Sequence, residues 1–344
     1  MWSVLLGLLG LVCISYQTPL AGRIDYQTEF NNFVQKFERN YENDAERTFR
    51  FNTFVQNVDK MLEDSKKMPT AKFGINKFAD WTKEEKAKLN GLPKRTRPMS
   101  KLDKLSSKSS NYSLPQSFDW RSRNVVTPVK NQGQCGSCWT FQTVAIIESH
   151  TILSGQRAVI LSEQELVDCD KLDQSDGCNG GWPNAGLVYA VEHGLPTEKA
   201  YPYKAVNQDC HARYGGNGRT YIKNWEFLGP DENAAAYQLM QLGPIGYNIY
   251  VPDSLFNYQT GVWWPSDADC KAAEDSHAIT IVGFGTENGV PYWLIKNSWG
   301  ANWGGLGGYF KMHRGNLTCA SGYGIGDDSG DFGDGNEWFV AATL

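Results

Sequence analysis

Long hydrophobic runs are missing from this sequence after its first residues: no later stretch reaches the roughly 18 to 20 uninterrupted apolar positions that a membrane-spanning helix needs. A surplus of positive charge is missing too. Lysine and arginine number 33 against 38 aspartate and glutamate, a formal net charge of -5, which leaves a nucleic-acid or polyphosphate partner without electrostatic footing. Histidines number only 5. The single Cys-x-x-Cys has neither a second copy nor a pair of closely spaced histidines beside it, so a structural zinc site lacks its ligands, and no metal or cofactor is expected. At 41% hydrophobic and 13% aromatic, the chain holds too many core-forming residues to be disordered or fibrous.

Cysteine, by contrast, is plentiful: 8 in all, every one but Cys13 beyond residue 130. That density is foreign to most cytosolic enzymes and points to an oxidising compartment. The apolar run over residues 4–14, followed by small residues such as Ser15, is too short to span a bilayer. Residues 1–16 read as a secretory signal peptide, although they contain no lysine or arginine. Cys13 leaves with that segment, and pairing the other seven strands one free thiol. The product is expected to be soluble and monomeric, delivered along the secretory pathway to a lysosome or to the exterior.

Composition divides the chain further. Residues 22–92 are helical and charged: Tyr26, Phe30, Phe33 and Phe37 recur at helical spacing, and so do Phe51, Phe54, Val58 and Met61/Leu62. These two amphipathic helices have no apolar partner of their own in the segment and should lay their faces on the larger C-terminal domain. Thr82 and Glu85 form a capping box for a third, short helix. Residues 93–112 lose periodicity and carry lysine, arginine and serine, as a solvated, protease-sensitive linker does. Residues 113–344 turn to Trp, Gly and Cys, with helices first and strands second, an α+β arrangement. A helix should run from Cys138 to about Ser154, another follow the box Ser162/Glu165, and a third run from Pro183 to Gly194. The apolar stretches 277–284 and 291–298 flank Asn288-Gly289, a hairpin signal.

That hairpin brings His277 within about two pairs of facing Asn297, so an imidazole can meet an amide there. The other chemical signal is Asn131-Gln132-Gly133-Gln134-Cys135-Gly136-Ser137-Cys138-Trp139, directly ahead of a helix. A thioredoxin-like redox pair expects a βαβ context and a Trp before the first Cys; here the Trp follows the second. The remaining reading is a structural Cys135 beside a nucleophilic Cys138. A thiolate at a helix N-terminus feels the positive end of the dipole, and a neighbouring imidazolium stabilises it further.

With Cys135-Gly136-Ser137-Cys138-Trp139, Gly177-Cys178-Asn179-Gly180-Gly181, His277-Ala278 and Asn297-Ser298-Trp299-Gly300, the sequence resembles the papain-like cysteine peptidases over nearly its whole length. The propeptide is similar to the cathepsin-L type. Glu46, Arg50, Phe54 and Asn57 keep the first motif's spacing, Met61 and Ser65 depart from it, and Gly74-x-Asn76-x-Phe78-x-Asp80 matches the second. The resemblance implies a two-lobed papain-like fold with a helical left lobe, an antiparallel β right lobe and a cleft between them, preceded by a helical inhibitory propeptide. It implies a cysteine endopeptidase, made as a zymogen, that cleaves polypeptide substrates through an acyl-enzyme. Cys138 would be the nucleophile, His277 its proton-exchanging partner, Asn297 the residue orienting His277, and Gln132 a donor to the oxyanion. Trp299 would shield the Asn–His contact, and the Gly180-Gly181 backbone would pair with extended substrate. Trp182, Pro183, Asn248 and Ala278 would line the pocket for the residue two before the scissile bond, apolar with one polar wall.

By the same resemblance, cysteines pair as Cys135–Cys178, Cys169–Cys210 and Cys270–Cys319. The propeptide would inhibit the enzyme as its own intramolecular partner, and carboxylates such as Asp80 would protonate in acid to release it. Departures are Thr140, Ser276, one extra residue in the stretch 303–309, and a Gly/Asp-rich tail over 322–338. Residues 182–210 hold no added His-bearing element of the kind that makes an exopeptidase. The opposing reading is a catalytically silent relative acting as a binding or matrix protein; retention of Cys138, His277, Asn297 and Gln132 argues against it. Independently of the family, Asn111-Tyr112-Ser113 and Asn316-Leu317-Thr318 fit the N-glycosylation pattern, Asn316 being preferred.

Overall fold

A computed structural model describes residues 24–92, 112–172, 175–321 and 339–343. The expected signal peptide 1–16, the expected linker through Asn111, and the tail 322–338 lie outside the described residues.

The N-terminal segment is helical as its periodicity requires. Helix α1 (Tyr26–Lys36) starts where the Asp25 carboxylate accepts from Thr28 N–H at 3.2 Å, and α2 (Asp44–Lys67) where Asn43 accepts from Glu46 N–H at 2.9 Å. Contrary to the expectation that their apolar faces lack a partner, the two helices cover each other. Phe30, Phe33, Phe54, Val58, Met61 and Ala79 form a separate small core, with Phe54 5.3 Å from both Phe30 and Phe33. The segment reaches the larger domain through the flank of α2 beside residues 253–257, and through strand β1 (Ala71–Phe73) and helix α3 (Lys83–Ala87). The Thr82/Glu85 capping box is formed in both directions, at 3.3 and 2.9 Å. Glu85 also receives both arms of Arg50 at 2.6 and 2.8 Å, which fastens α3 to α2.

The larger domain has two lobes. One gathers α4 (Cys138–Leu153), α5 (Gln164–Cys169) and α6 (Pro183–Glu192) around Trp139, Ile146, Leu166 and Leu187. The other is a sheet around Trp263, Trp293, Trp303 and Phe310. It is built from β2 (Phe118–Asp119), β3 (Asn224–Leu228), β4 (Ile245–Tyr250), β5 (Tyr258–Trp263), β6 (Ser276–Glu287), β7 (Val290–Lys296), β8 (Tyr309–His313) and β9 (Phe339–Thr343). Strand order is β1-β5-β8-β7-β6-β4-β9-β3, with β2 on β6. The expected antiparallel sheet needs one amendment, because β5 and β8 run parallel. The helices-then-strands order is also looser than composition suggests: α7 (Glu232–Leu242) and α8 (Asp267–Ala272) lie among the strands.

The hairpin forms where Asn288-Gly289 predicts it, with φ of 50° and 80°, the left-handed pair that suits the twist of two joined strands. Pro183 sits at the first turn of α6, where its missing N–H costs nothing. The second capping box is only half formed. Ser162 Oγ accepts from Glu165 N–H at 3.2 Å, but the Glu165 carboxylate does not return to Ser162; Tyr189 OH at 2.9 Å and Arg219 claim it instead.

Helix α4 is buried over residues 138–151, packed between β6 and α6. Its Glu148 therefore needs a cation inside the protein. Lys130 Nζ supplies it at 2.9 Å and reaches Glu163 at 2.7 Å and the Leu161 carbonyl at 2.9 Å. Thr127 donates to the same Glu148 and accepts from Lys296 Nζ at 3.0 Å, which joins the helical lobe to β7. Removing one member of a buried set strands the opposite charges. Lys130→Met should therefore lower stability to denaturant by about 3–5 kcal/mol. A loss below about 1 kcal/mol would mean that water already screens the cluster.

Candidate active site

Four elements meet at the lobe boundary. The loop 131–137 ahead of α4 is stitched on both sides: Gln132 N–H donates to the Ser298 carbonyl at 2.8 Å, and Gly136 N–H donates to the Cys178 carbonyl at 2.9 Å. The bridge Cys135–Cys178 adds a covalent tie, and Cys169–Cys210 and Cys270–Cys319 are formed as well. Cys138, first residue of α4, is the free cysteine among the described residues. Its backbone N–H is one of the unsatisfied donors that open a helix, and its sulfur feels the positive end of the helix dipole.

His277 on β6 and Asn297 just past β7 meet as the hairpin register predicts, with Nε2 and Oδ1 2.8 Å apart. An amide oxygen can only accept, so Nε2 carries the proton and Nδ1 is the nitrogen left for exchange with a thiol. The thiol lies against this strand: the backbone of Ala278 hydrogen-bonds it. Trp299 lies over the imidazole, ring centroids 4.9 Å apart. The side-chain amide of Gln132 is fixed at its oxygen by the Ser298 hydroxyl at 2.6 Å, and its N–H groups point to the Cys135 carbonyl and to the Leu89 carbonyl, both at 2.9 Å.

Leu89 belongs to the N-terminal segment, which occupies this site. Gly181 N–H donates to the Gly91 carbonyl at 2.9 Å, Leu92 N–H to the Ser276 carbonyl at 3.4 Å, and the Ser276 hydroxyl to the Leu92 carbonyl at 3.3 Å. A Cβ on Gly91 would sit 1.8 Å from the Gly136 carbonyl oxygen, so only glycine passes there. Cys138 and His277 are both 0% exposed. Burial pushes the Cys138 thiol up to about 11, against hydrogen bonds from the backbone of Ala278, Gly91, Trp139 and Cys138 itself. Burial likewise pushes the His277 imidazole down to about 4, opposed by Asn297 and by the Leu89 backbone. In this covered state thiol and imidazole are both neutral.

Of the other residues singled out from sequence, Trp182 and Ala278 share a buried cluster with Leu92 and Cys138. Pro183 opens α6 beside them, its carbonyl accepting from Thr143 Oγ1 at 3.0 Å. Asn248 pairs with Ala278 across β4 and β6, is fully buried, and accepts from Gln142 Nε2 at 3.2 Å, while its own Nδ2 has no hydrogen-bond partner among the described residues. Gly181 faces the occupying chain, whereas both main-chain groups of Gly180 are used locally, its N–H by Gly177 and its carbonyl by Asp176. Asn316 is exposed on the loop after β8, and Thr318 is held by His313 Nδ1 at 3.1 Å. Sequence reasoning passed over Ser298, although it stands inside the Asn297 motif, and Phe256, stacked on Trp299 at 4.8 Å, which no local pattern marks.

This geometry has known counterparts. The papain family cysteine protease domain matches residues 114–325, and the cathepsin propeptide inhibitor domain matches residues 30–85. The chain is 35% identical over 305 residues to the thiol protease aleurain of Arabidopsis thaliana, covering 88% of this chain and 84% of that protein. It is 34% identical over 326 residues to cathepsin L1 of Drosophila melanogaster, covering 91% and 86%. Among solved structures, the digestive procathepsin L2 proteinase from the larval midgut of Tenebrio molitor superposes with a TM-score of 0.80 at 33% identity, over 93% of this chain and all of that one. With the family domain matched over residues 114–325 and relatives of 34–35% identity aligned over most of their length, the chain belongs to the papain family of cysteine proteases.

Proposed function

We propose that Cys138 and His277 form the catalytic pair, and that the observation carrying this reading is the Leu89 carbonyl seated on the Gln132 amide beside the thiol. A substrate carbonyl placed there would face the Gln132 side-chain N–H and the Cys138 backbone N–H, two donors for the oxyanion. The steps are those the groups present allow. Once uncovered, the thiol passes its proton to His277 Nδ1, and the thiolate attacks the carbonyl carbon. The imidazolium returns the proton to the leaving amine, and water, deprotonated by the imidazole, then hydrolyses the thioester. Asn297 holds the ring in register, and Trp299 keeps water from that hydrogen bond.

The substrate is an extended polypeptide laid along Gly181 and cut internally, since the compact stretch 182–210 holds no cap over the cleft. Leu92, clustered with Trp182 and Ala278, supports an apolar neighbouring pocket, which Pro183 next to Trp182 and Asn248 opposite Ala278 would complete, Asn248 as its polar wall. Residues 22–92 are the inhibitory segment, 93–112 the linker cut on activation, and 113–344 the enzyme. The three disulfides and the N-terminal apolar run fit passage through the secretory pathway to a lysosome or the exterior.

Where the thiol is absent, as in Cys138→Ser, His277 responds to acid: burial holds the covered imidazole at about 4, below the ordinary 6.5. An uncovered imidazole then takes up a proton that the covered one refuses, and falling pH favours uncovering. Glu85 acts in the same direction. Burial alone would raise its carboxyl, yet Arg50 holds it below its ordinary value, so its contribution is lost as pH falls. For Asp80 the net shift is upward, because burial raises its pKa against Arg39, the Tyr41 hydroxyl and Arg50, which all lower it.

Three outcomes are expected. Cys138→Ser should give a folded protein without turnover of a fluorogenic peptide, and Gln132→Ala should lower kcat by about 10²–10³; ordinary turnover in Cys138→Ser would sink the mechanism. In the full-length Cys138→Ser protein, which cannot process itself, tryptophan fluorescence should report opening as pH falls from 6.5 toward 4, and a flat signal across that window would contradict the role of His277. Material from a eukaryotic host should lose mass with glycosidase, and Asn316→Gln should abolish that shift for the processed enzyme.

A further inference from the structure

Strand β1 adds the N-terminal segment to the edge of the enzyme's sheet. Ala71, Lys72 and Phe73 pair with Gly261, Thr260 and Tyr258 of β5 in antiparallel register. Main-chain bonds continue past both ends: Val262 N–H donates to the Thr70 carbonyl at 2.7 Å, and Gly74 N–H donates to the Asn257 carbonyl at 2.9 Å. Met68, Ala71 and Phe78 enter the same core as Tyr258, Trp263 and Phe256. Gly261 permits the approach. Its φ is +81°, and a Cβ there would lie 2.4 Å from the Thr70 carbonyl oxygen.

Removal of residues 22–92 leaves β5 with β8 on one side and no other strand among the described residues on the other, so a row of main-chain donors and acceptors and an apolar shelf open together. The sequence of that edge, Tyr258-Gln259-Thr260-Gly261-Val262-Trp263, carries no charge, so main-chain pairing with an apolar residue at every second position decides what it accepts. None of the residues assigned to the chemistry lies on it. Lys72 is exposed while Ala71 is buried, which shows the alternation an occupant needs.

We propose that in the activated enzyme the β5 edge is a recognition site separate from the cleft, which takes an extended segment of a protein substrate by strand addition. The proposal rests on departure of the propeptide when the proposed zymogen is activated. A second contact on the same substrate chain raises the effective concentration of the scissile segment at Cys138 without changing the chemistry. Long unfolded chains gain from it, and short peptides do not.

The test uses enzyme activated from the full chain and a synthetic peptide of residues 68–76, which lacks the cleft-filling residues 89–92. With the thiol trapped, the labelled peptide should bind by fluorescence anisotropy. A Lys72→Pro version should not, because in an antiparallel ladder Lys72 is the hydrogen-bonded position next after Thr70. With the thiol free, the peptide should lower kcat/KM on a denatured protein about threefold or more and leave a short fluorogenic substrate untouched. In enzyme carrying Gly261→Ala, the ratio of protein to short-peptide activity should already be lowered and insensitive to the peptide. If that variant does not fold, the peptide arms decide alone. No binding up to about 1 mM, equal inhibition of both substrates, equal binding of the Lys72→Pro peptide, or self-association of activated enzyme through this edge would each overturn the proposal. Absence of short-peptide turnover would instead count against the protease chemistry itself.

Discussion

Burial of α4 on every side is the constraint on which the rest of the molecule depends. A helix enclosed from residue 138 to 151 cannot send its polar side chains to water, so each must find a partner inside. Gln142 donates to the carbonyls of Ile279 and Tyr247 at 2.7 and 2.9 Å, Thr143 to Pro183, and Glu148 receives Lys130 and the Leu161 N–H. Those partners sit on β6, β4, α6 and the loops between. Satisfying the helix therefore fixes its N-terminus against β6, and with it the place of Cys138 relative to His277. Apolar packing alone would leave that distance adjustable; directional bonds in a low-dielectric interior do not.

The propeptide exploits the same enclosure. Its residues 89–92 engage the Gln132 amide and the Gly181 N–H, and by excluding water they disfavour the charged forms of thiol and imidazole together. Latency is thereby steric and electrostatic at once. The segment rests on a small core of its own, tied to the enzyme through β1, through Asn76 Nδ2 on the Phe256 carbonyl at 2.6 Å, and through Phe78, 5.6 Å from Trp299. Phe78 and Trp299 link the cover directly to the ring above His277.

Much of this is legible in the residues themselves. Helices α1, α2, α4 and α6 come from periodicity and end signals, and the hairpin from Asn288-Gly289. The approach of His277 to Asn297 follows from that turn, which sets the register beside it, and from a bulge between Ile281 and Gly283, which shifts the register before His277 is reached. Cys138 stands out through its helix-opening position and the odd cysteine left after pairing. Local signals of this kind survive because the physics behind them acts within a few residues.

The chain alone determined the set of elements and the reactive residue types at their ends. The tertiary structure decided where those elements lie against one another. It closed α1 and α2 upon each other, drew the Glu165 carboxylate from its capping box to Arg219 and Tyr189, placed Phe256 on Trp299, and laid Gly91 against Gly136. It also set the direction of the Asp80 shift, which comes from burial outweighing the opposing Arg39 and Tyr41. The reason is the same in each case: burial, dielectric and partner choice depend on residues far apart in sequence, and only the assembled interior brings them within reach.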